Sequence, residues 1–473
     1  MLEQNDSMMT RVRNIHFVGI GGAGMCGIAE ILHNLGYEIS GSDITESSVT
    51  RHMLTQGIDV KLGHDPALIN GADVLVVSSA VSETNPEVAE ARKKRIPVIP
   101  RAEMLAELMR FRLGIAVAGT HGKTTTTSLI ACLLAEGGLD PTYVIGGQLN
   151  SIGSNAKLGS GKYLVAEADE SDASFLHLQP VMAVLTNIDA DHLDAYKGDY
   201  ALLKEAFCNF LLRLPFYGMA SICIDDKGVR DIVKDMTKPF ITYGIDQPAD
   251  FTASNIKYQF SQSSFTVSSP KQKDWLEVKL NLPGKHNVMN ALGAITIAAE
   301  LGISKSAIIK AMSGFQGIGR RCSLLGEIII DSRKALLIDD YAHHPSEIKS
   351  ILNAVHTGWP GRRTIVVFQP HRFTRTKDLF TDFCNVLADI EILILLNIYP
   401  AGEDPIPGID SQSLCKALSQ GDESDPILIS DRNDIFSVLP DLVKNNDVLL
   451  IIGAGDIGNL GPELVAEYST AVH

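Results

Sequence analysis

The chain has no Cys-x-x-Cys pair, and its seven cysteines, at 26, 132, 208, 223, 322, 384 and 415, are scattered. That leaves no zinc site of the usual spacing and reads as reduced thiols in a cytosolic protein. No apolar run reaches the roughly 18 residues that crossing a membrane takes, so no membrane partner is expected. Residues 1–14 are polar and mixed in charge, unlike a signal peptide. Basic residues are outnumbered, 41 Lys and Arg against 56 Asp and Glu, for a net charge of −15. That balance argues against a nucleic-acid partner, which wants a basic face. An anionic substrate must then be held by local lysines, arginines, metal ions and helix ends. Repeats of solenoid period, low-complexity tracts and a convincing Ser-His or Cys-His nucleophile arrangement are also missing.

What is present suits folded domains. Hydrophobic residues make up 45% and charged residues 21% of the 473, and that length predicts about three domains. Three segments each restart a strand–glycine-turn–helix pattern. The first opens at Asn14-Ile15-His16-Phe17-Val18 and continues through Asp73 to Ser78 and Ile96 to Pro100. The second opens near Gly114, with further strands at Tyr163 to Glu167 and Val181 to Leu185 and a polar, strand-rich excursion from Ile241 to Leu282. The third has strands at Ala335 to Asp339, Thr364 to Phe368, Ile390 to Leu396 and Val448 to Ile452. Short apolar strands alternating with helical stretches predict an α/β fold of three domains, 1–113, 114–319 and 320–473.

The most telling stretch is Gly119-Thr120-His121-Gly122-Lys123-Thr124-Thr125, which follows a strand and leads to a helix expected over Ser128–Glu136. Glycines let backbone N–H groups crowd a phosphate, a lysine adds positive charge, and a following hydroxyl can ligate Mg²⁺. The strict Walker spacing wants glycine five positions before Gly122, where Val117 stands; Gly119 makes a tighter version. Phosphate binding is expected.

Gly19, Gly21, Gly22, Gly24 and Met25 follow the first strand, and Ser42-Asp43 ends the next strand-like piece. This resembles a dinucleotide fingerprint whose acid accepts from a ribose hydroxyl, though the same geometry holds any nucleotide diphosphate, NAD included. Gly453, Gly455 and Gly458 look similar but leave too little chain for a full unit, which favours a structural turn. Glu167 continues a strand beside the phosphate loop, where Mg²⁺ needs an oxygen ligand; the acids after it read as a solvated loop. His192 lies among Asp189, Asp191 and Asp194 after the next strand, a metal-related position. In the third segment Asp340, His343, Arg372 and Arg375 follow strand ends, where parallel sheets bind ligands, and paired arginines suit a carboxylate or phosphate.

Taken in order, Gly-Ile-Gly-Gly-x-Gly-Met, Gly119-Thr-His-Gly-Lys-Thr-Thr, Glu167-Ala-Asp-Glu, Asp191-His-Leu-Asp194, Gly284-Lys-His-Asn-x-x-Asn290, Gly319-Arg-Arg and Asp340-Tyr-Ala-His-His-Pro resemble the Mur ligase family over nearly the whole chain. The resemblance implies a Rossmann-like N-terminal domain for the UDP end of a sugar nucleotide, a central P-loop ATPase-type domain, and a Rossmann-like C-terminal domain for the amino acid. It implies ATP and Mg²⁺, in two ions, as cofactors. UDP-N-acetylmuramate and L-alanine would be the substrates, the latter favoured by Gly21-Gly-x-Gly-Met25 together with Phe368-Gln-Pro-His-Arg-x-x-Arg375. Lys123 and Thr124 would serve the phosphates and first metal, Glu167 the metal, and His192 a second metal. His286, Asn287 and Asn290 would surround the adenine, with Asp340 near the ribose. Arg321 would reach the phosphates, while His343, Arg372 and Arg375 hold the alanine. Many later-acting members carry a carbamylated lysine where Phe207 aligns here, so none is expected, although Lys204 is close. A cytoplasmic monomer or weak homodimer is expected.

Overall fold

A computed structural model describes residues 9–78, 80–150, 154–234, 236–419 and 425–468. Three sheets organise them. The first is all parallel in the order β3-β2-β1-β4-β5. Its strands are β1 (Asn14–Val18), β2 (Glu38–Asp43), β3 (Asp59–Leu62), β4 (Val74–Val77) and β5 (Val98–Pro100). The chain order turns back between β1 and β4, the kind of switch point at whose strand carboxyl ends parallel sheets bind ligands.

The second sheet has ten strands in the order β15-β14-β13-β12-β11-β10-β6-β9-β7-β8. In chain order they are β6 (Leu113–Ala118), β7 (Thr142–Leu149), β8 (Ser154–Lys157), β9 (Tyr163–Glu167), β10 (Met182–Leu185), β11 (Met219–Cys223), β12 (Phe240–Gly244), β13 (Phe251–Gln259), β14 (Gln262–Ser269) and β15 (Gln272–Leu280). β6 is central, between β10 and β9, and parallel to both. Its run Gly-Ile-Ala-Val-Ala is buried throughout, as parallel strands covered on both faces must be. The antiparallel β7–β8 pair lies where the sequence reading places no strand.

The third sheet runs β16-β17-β21-β18-β19-β20, with β16 (Ser323–Ile330) an antiparallel edge on β17 (Arg333–Asp340). β18 (Thr364–Phe368), β19 (Ile392–Leu396), β20 (Ile427–Ile429) and β21 (Asp447–Ile452) complete it in parallel. Alternate residues feed two separate cores: Ile338, Val366 and Leu450 point to one face, Leu337, Val367 and Leu449 to the other.

The three-domain fold gathers into two compact units. One holds residues up to Asn255 with 265–278 and 289–316; the other holds 256–264, 279–288 and the chain from Gly317 onward. Within the first unit one apolar cluster runs from Ile15, Phe17 and Ile28 through Ala116, Val144 and Leu164 to Phe207 and Phe210. Position 113 therefore marks a change of sheet across which one of the apolar clusters continues, while Val18, Ile69, Leu75 and Ala91 form a cluster of the first sheet's own. The helix Ala23–Asn34 makes that join by packing on β7 and β8. Among the described residues no helix is long and apolar enough to cross a membrane.

Candidate active site

The phosphate loop is bolted to the segment after β10. The Thr120 amide donates to the Asn187 carbonyl (3.1 Å), the His121 amide to Asn187 Oδ1 (2.8 Å), and the Thr186 hydroxyl to the His121 carbonyl (2.7 Å). The His121 ring lies 3.1 Å from Asp189. Gly119 (φ +129°) and Gly122 (φ +81°) take conformations that side-chain-bearing residues avoid. A Cβ on Gly119 would sit 2.1 Å from Thr186 Oγ1, and one on Gly122 2.4 Å from Asn290 Oδ1. The helix begins at Lys123, five residues earlier than expected, and runs to Glu136. Thr124 to Thr127 are buried within it, so packing overrides their weak helix propensity. Its first turn lacks a side-chain cap, leaving N–H groups that suit an anion.

The acidic stretch after β9 is not a solvated loop. Glu170 is wholly buried and sets both carboxylate oxygens on Lys123 Nζ, at 2.7 and 3.0 Å. Burial raises Glu170 above the ordinary carboxylate value, while the ammonium of Lys123 beside it favours the charged form. Burial alone would depress Lys123, but Glu170, Asp169 and Glu167 together hold its ammonium above the ordinary value. Asp169 pairs with Arg101 at 3.4 Å. Glu167 accepts from the Thr124 hydroxyl (3.2 Å) and the Gly146 amide (2.5 Å). His192 (φ +56°) faces the Asp191 carboxylate at 3.6 Å.

At the first sheet, Gly19 (φ +78°) turns the chain, and the Gly21 amide donates to Asp43 Oδ2 at 2.8 Å. Gly22 caps the helix, and a Cβ on Gly24 would collide with the Arg101 guanidinium at 2.7 Å. Two expected ligand residues point inward: Met25 lies in the core, and the Ser42 hydroxyl is buried on Glu87 (2.9 Å) and His64 (3.1 Å).

In the second unit, loops after β17, β18 and β21 gather. Asp340 accepts from the Cys322 and Ala342 amides (2.6 and 2.8 Å), and burial lifts it to about 6. Arg320 is committed to Asp339 (3.0 Å) and the Gly453 carbonyl. Arg321 is looser, 4.0 Å from Glu347 and over the Tyr341 ring. Glu347 also accepts from the His343 amide (3.0 Å), while His343 Nδ1 lies 3.1 Å from the Tyr341 carbonyl. Arg372 (φ +72°) starts the short helix Phe373–Asp378, and Arg375 is buried against His371, whose ring stacks on Tyr399. The Gln369 carboxamide meets Asp456 (2.7 Å) and the Ile457 amide (3.1 Å), so the Gly453–Gly458 turn serves as structure. The Asn287 carboxamide caps the Pro283 carbonyl (2.8 Å), and His286 is held down to about 4 by burial and by Arg321.

Family models match in chain order: "Mur ligase family, catalytic domain" over residues 14–112, "Mur ligase middle domain" over 117–298, and "Mur ligase, glutamate ligase domain" over 320–455. This chain belongs to the Mur ligase family. Its members are ATP-dependent ligases acting on UDP-sugar substrates. Among solved structures, UDP-N-acetylmuramate-alanine ligase from Thermotoga maritima is 27% identical, with 96% of this chain and 98% of that chain covered and a TM-score of 0.82. A murein peptide ligase from Psychrobacter arcticus is 25% identical, with 98% and 100% covered and a TM-score of 0.73. A UDP-N-acetylmuramate:L-alanyl-gamma-D-glutamyl-meso-diaminopimelate ligase from Neisseria meningitides is 29% identical, with 65% and 100% covered and a TM-score of 0.60.

For a Mur ligase, the meeting of the Thr124 hydroxyl with the Glu167 carboxylate supplies hard oxygen donors of the kind Mg²⁺ takes. Phe207 is buried with its ring edge-on to that of Phe175 at 5.3 Å, while Lys204 lies 3.3 Å from Asp231. Sequence reasoning passed over Glu170, Arg101, His371 and Tyr399. Glu170 was within reach, as the last acid of Glu-Ala-Asp-Glu; Arg101 carries no local signal, since its partner is 68 residues away.

Proposed function

We propose that this Mur ligase joins L-alanine to the lactyl carboxylate of UDP-N-acetylmuramate, with release of ADP and phosphate. What supports the ATP half is the loop, where Lys123, the Thr124 hydroxyl, Glu167 and an uncapped helix N-terminus converge. What supports the alanine half is the likeness to the Thermotoga maritima enzyme along both chains. Mg²⁺, held by Thr124 and Glu167 with a second ion at His192, would neutralise charge on the transferring phosphoryl group.

A free carboxylate is a poor acylating agent, so the sugar's carboxylate first attacks the γ-phosphate in line, giving an acyl phosphate and ADP. Lys123 offsets charge that develops between the phosphates, and the uncapped N–H groups of the helix that starts at Lys123 orient them. The alanine amine then attacks the acyl carbon, and inorganic phosphate leaves from the tetrahedral intermediate. Arg372 and Arg375 take the alanine carboxylate and His343 lies with them; Arg321, free of the fixed pairing that holds Arg320, serves the phosphates. Gly19, Gly21 and Gly22 let the sugar nucleotide's diphosphate approach the backbone.

The murein peptide ligases resemble this chain at similar identity, which favours a second reading in which a peptide replaces alanine. ADP release measured with UDP-N-acetylmuramate and either L-alanine or L-Ala-γ-D-Glu-diaminopimelate separates them. Turnover with the peptide alone would sink the alanine assignment.

A further inference from the structure

We propose that Glu170 is a positioning residue that holds the Lys123 ammonium at the phosphate loop until a triphosphate displaces it. The inference rests on reading the loop as the ATP site. An ammonium has three N–H donors. Lys123 Nζ already lies within hydrogen-bond distance of four oxygens: Gly119 O at 2.7 Å, Thr120 O at 3.1 Å, and both Glu170 oxygens at 2.7 and 3.0 Å. A phosphate oxygen can gain this lysine only by taking a donor from one of them. The two carbonyls belong to the loop that the phosphate itself must occupy. Glu170 is the charged competitor.

The surroundings fix Glu170 in that role. Its side chain is 1% exposed, so water offers it little in exchange for the lysine. Its own carbonyl is anchored by the Tyr196 hydroxyl at 2.6 Å and the Ala173 amide at 3.0 Å. The adjacent carboxylate, Asp169, is drawn aside by Arg101. In the waiting state the lysine is charged, oriented and close to the loop; on nucleotide arrival it has only to exchange one oxyanion for another.

Two effects of opposite sign follow from neutralising the competitor. Nucleotide should bind more tightly, because no ion pair has to open. Turnover should slow, because the ammonium loses the group that aims it, a ground-state gain without a transition-state gain. Titration calorimetry of AMP-PNP with Mg²⁺ on the full chain is expected to show about fivefold tighter binding for Glu170→Gln, with kcat about tenfold lower. A merely structural role would lower the melting temperature and weaken binding. Unchanged or weaker binding in Glu170→Gln overturns the proposal. Should that variant not be recovered folded, Glu170→Asp decides: its charge is withdrawn by one methylene, so a smaller tightening is expected, and wild-type affinity overturns the proposal. The binding arm needs neither sugar nor amino acid. A wild-type protein that binds AMP-PNP but ignores alanine would refute the alanine assignment and leave this inference intact.

Discussion

Lys123 and the two glycines around it concentrate the chemistry in a few atoms. Lys123→Ala removes the mobile charge from the loop, and ligation should fall by about 10²–10³ or more, the usual loss for one preorganised electrostatic group; coupled ADP-release kinetics reads it, and unchanged synthesis would remove Lys123 from its central role. Gly119→Ala forces a side chain into a left-handed conformation 2.1 Å from Thr186 Oγ1. A cost of about 1–3 kcal/mol in stability is expected, with KM for ATP raised, measured by denaturant titration and initial rates. His286 reports on pH. It titrates near 4 in the fold against 6.5 ordinarily, so between those values only the unfolded chain takes up the proton. Stability should therefore rise from pH 4 to 6.5 and be lost as pH falls through that window. His286→Leu should flatten the rise by at most about 3 kcal/mol, read from urea midpoints across the range.

At the scale of elements, legibility followed locality. Strands of the parallel sheets announce themselves as apolar runs, and β18 falls where the sequence predicts it, Thr364–Phe368. The helix after the phosphate loop starts too late in a sequence reading because four consecutive threonines look unhelical; their burial against the sheet is a tertiary effect. Ser42 and Met25 carry the pattern of ligand contacts, yet Ser42 answers to Glu87, 45 residues away. The helix Ala23–Asn34 also depends on a distant partner. Gly27 faces β8, where an added Cβ would lie 3.0 Å from the Ala156 Cβ. Gly27→Val should lever the helix off β8 and cost about 1–3 kcal/mol by overpacking, while Gly36→Ala, whose Cβ meets nothing within 4 Å, acts only through its backbone strain. A thermal shift no larger for Gly27→Val than for Gly36→Ala would contradict this packing.

Across the whole molecule, the three domains do not each keep their packing to themselves. The first two share one apolar cluster, which no boundary signal near residue 113 could reveal, because cores are joined by side chains far apart in sequence. Calorimetry should resolve two cooperative transitions, one for each compact unit, and three well-separated transitions would be inconsistent with the shared core. The order of motifs made the family readable; which amine the enzyme uses depends on the walls of a pocket that motifs do not describe. The most direct measurement is the mass of the product formed from ATP, UDP-N-acetylmuramate and an equimolar mixture of L-alanine and L-Ala-γ-D-Glu-diaminopimelate. The expected product is the sugar nucleotide heavier by one alanyl residue, formed with one ADP per bond; a product carrying the tripeptide, or ADP without any ligated product, would sink the alanine assignment.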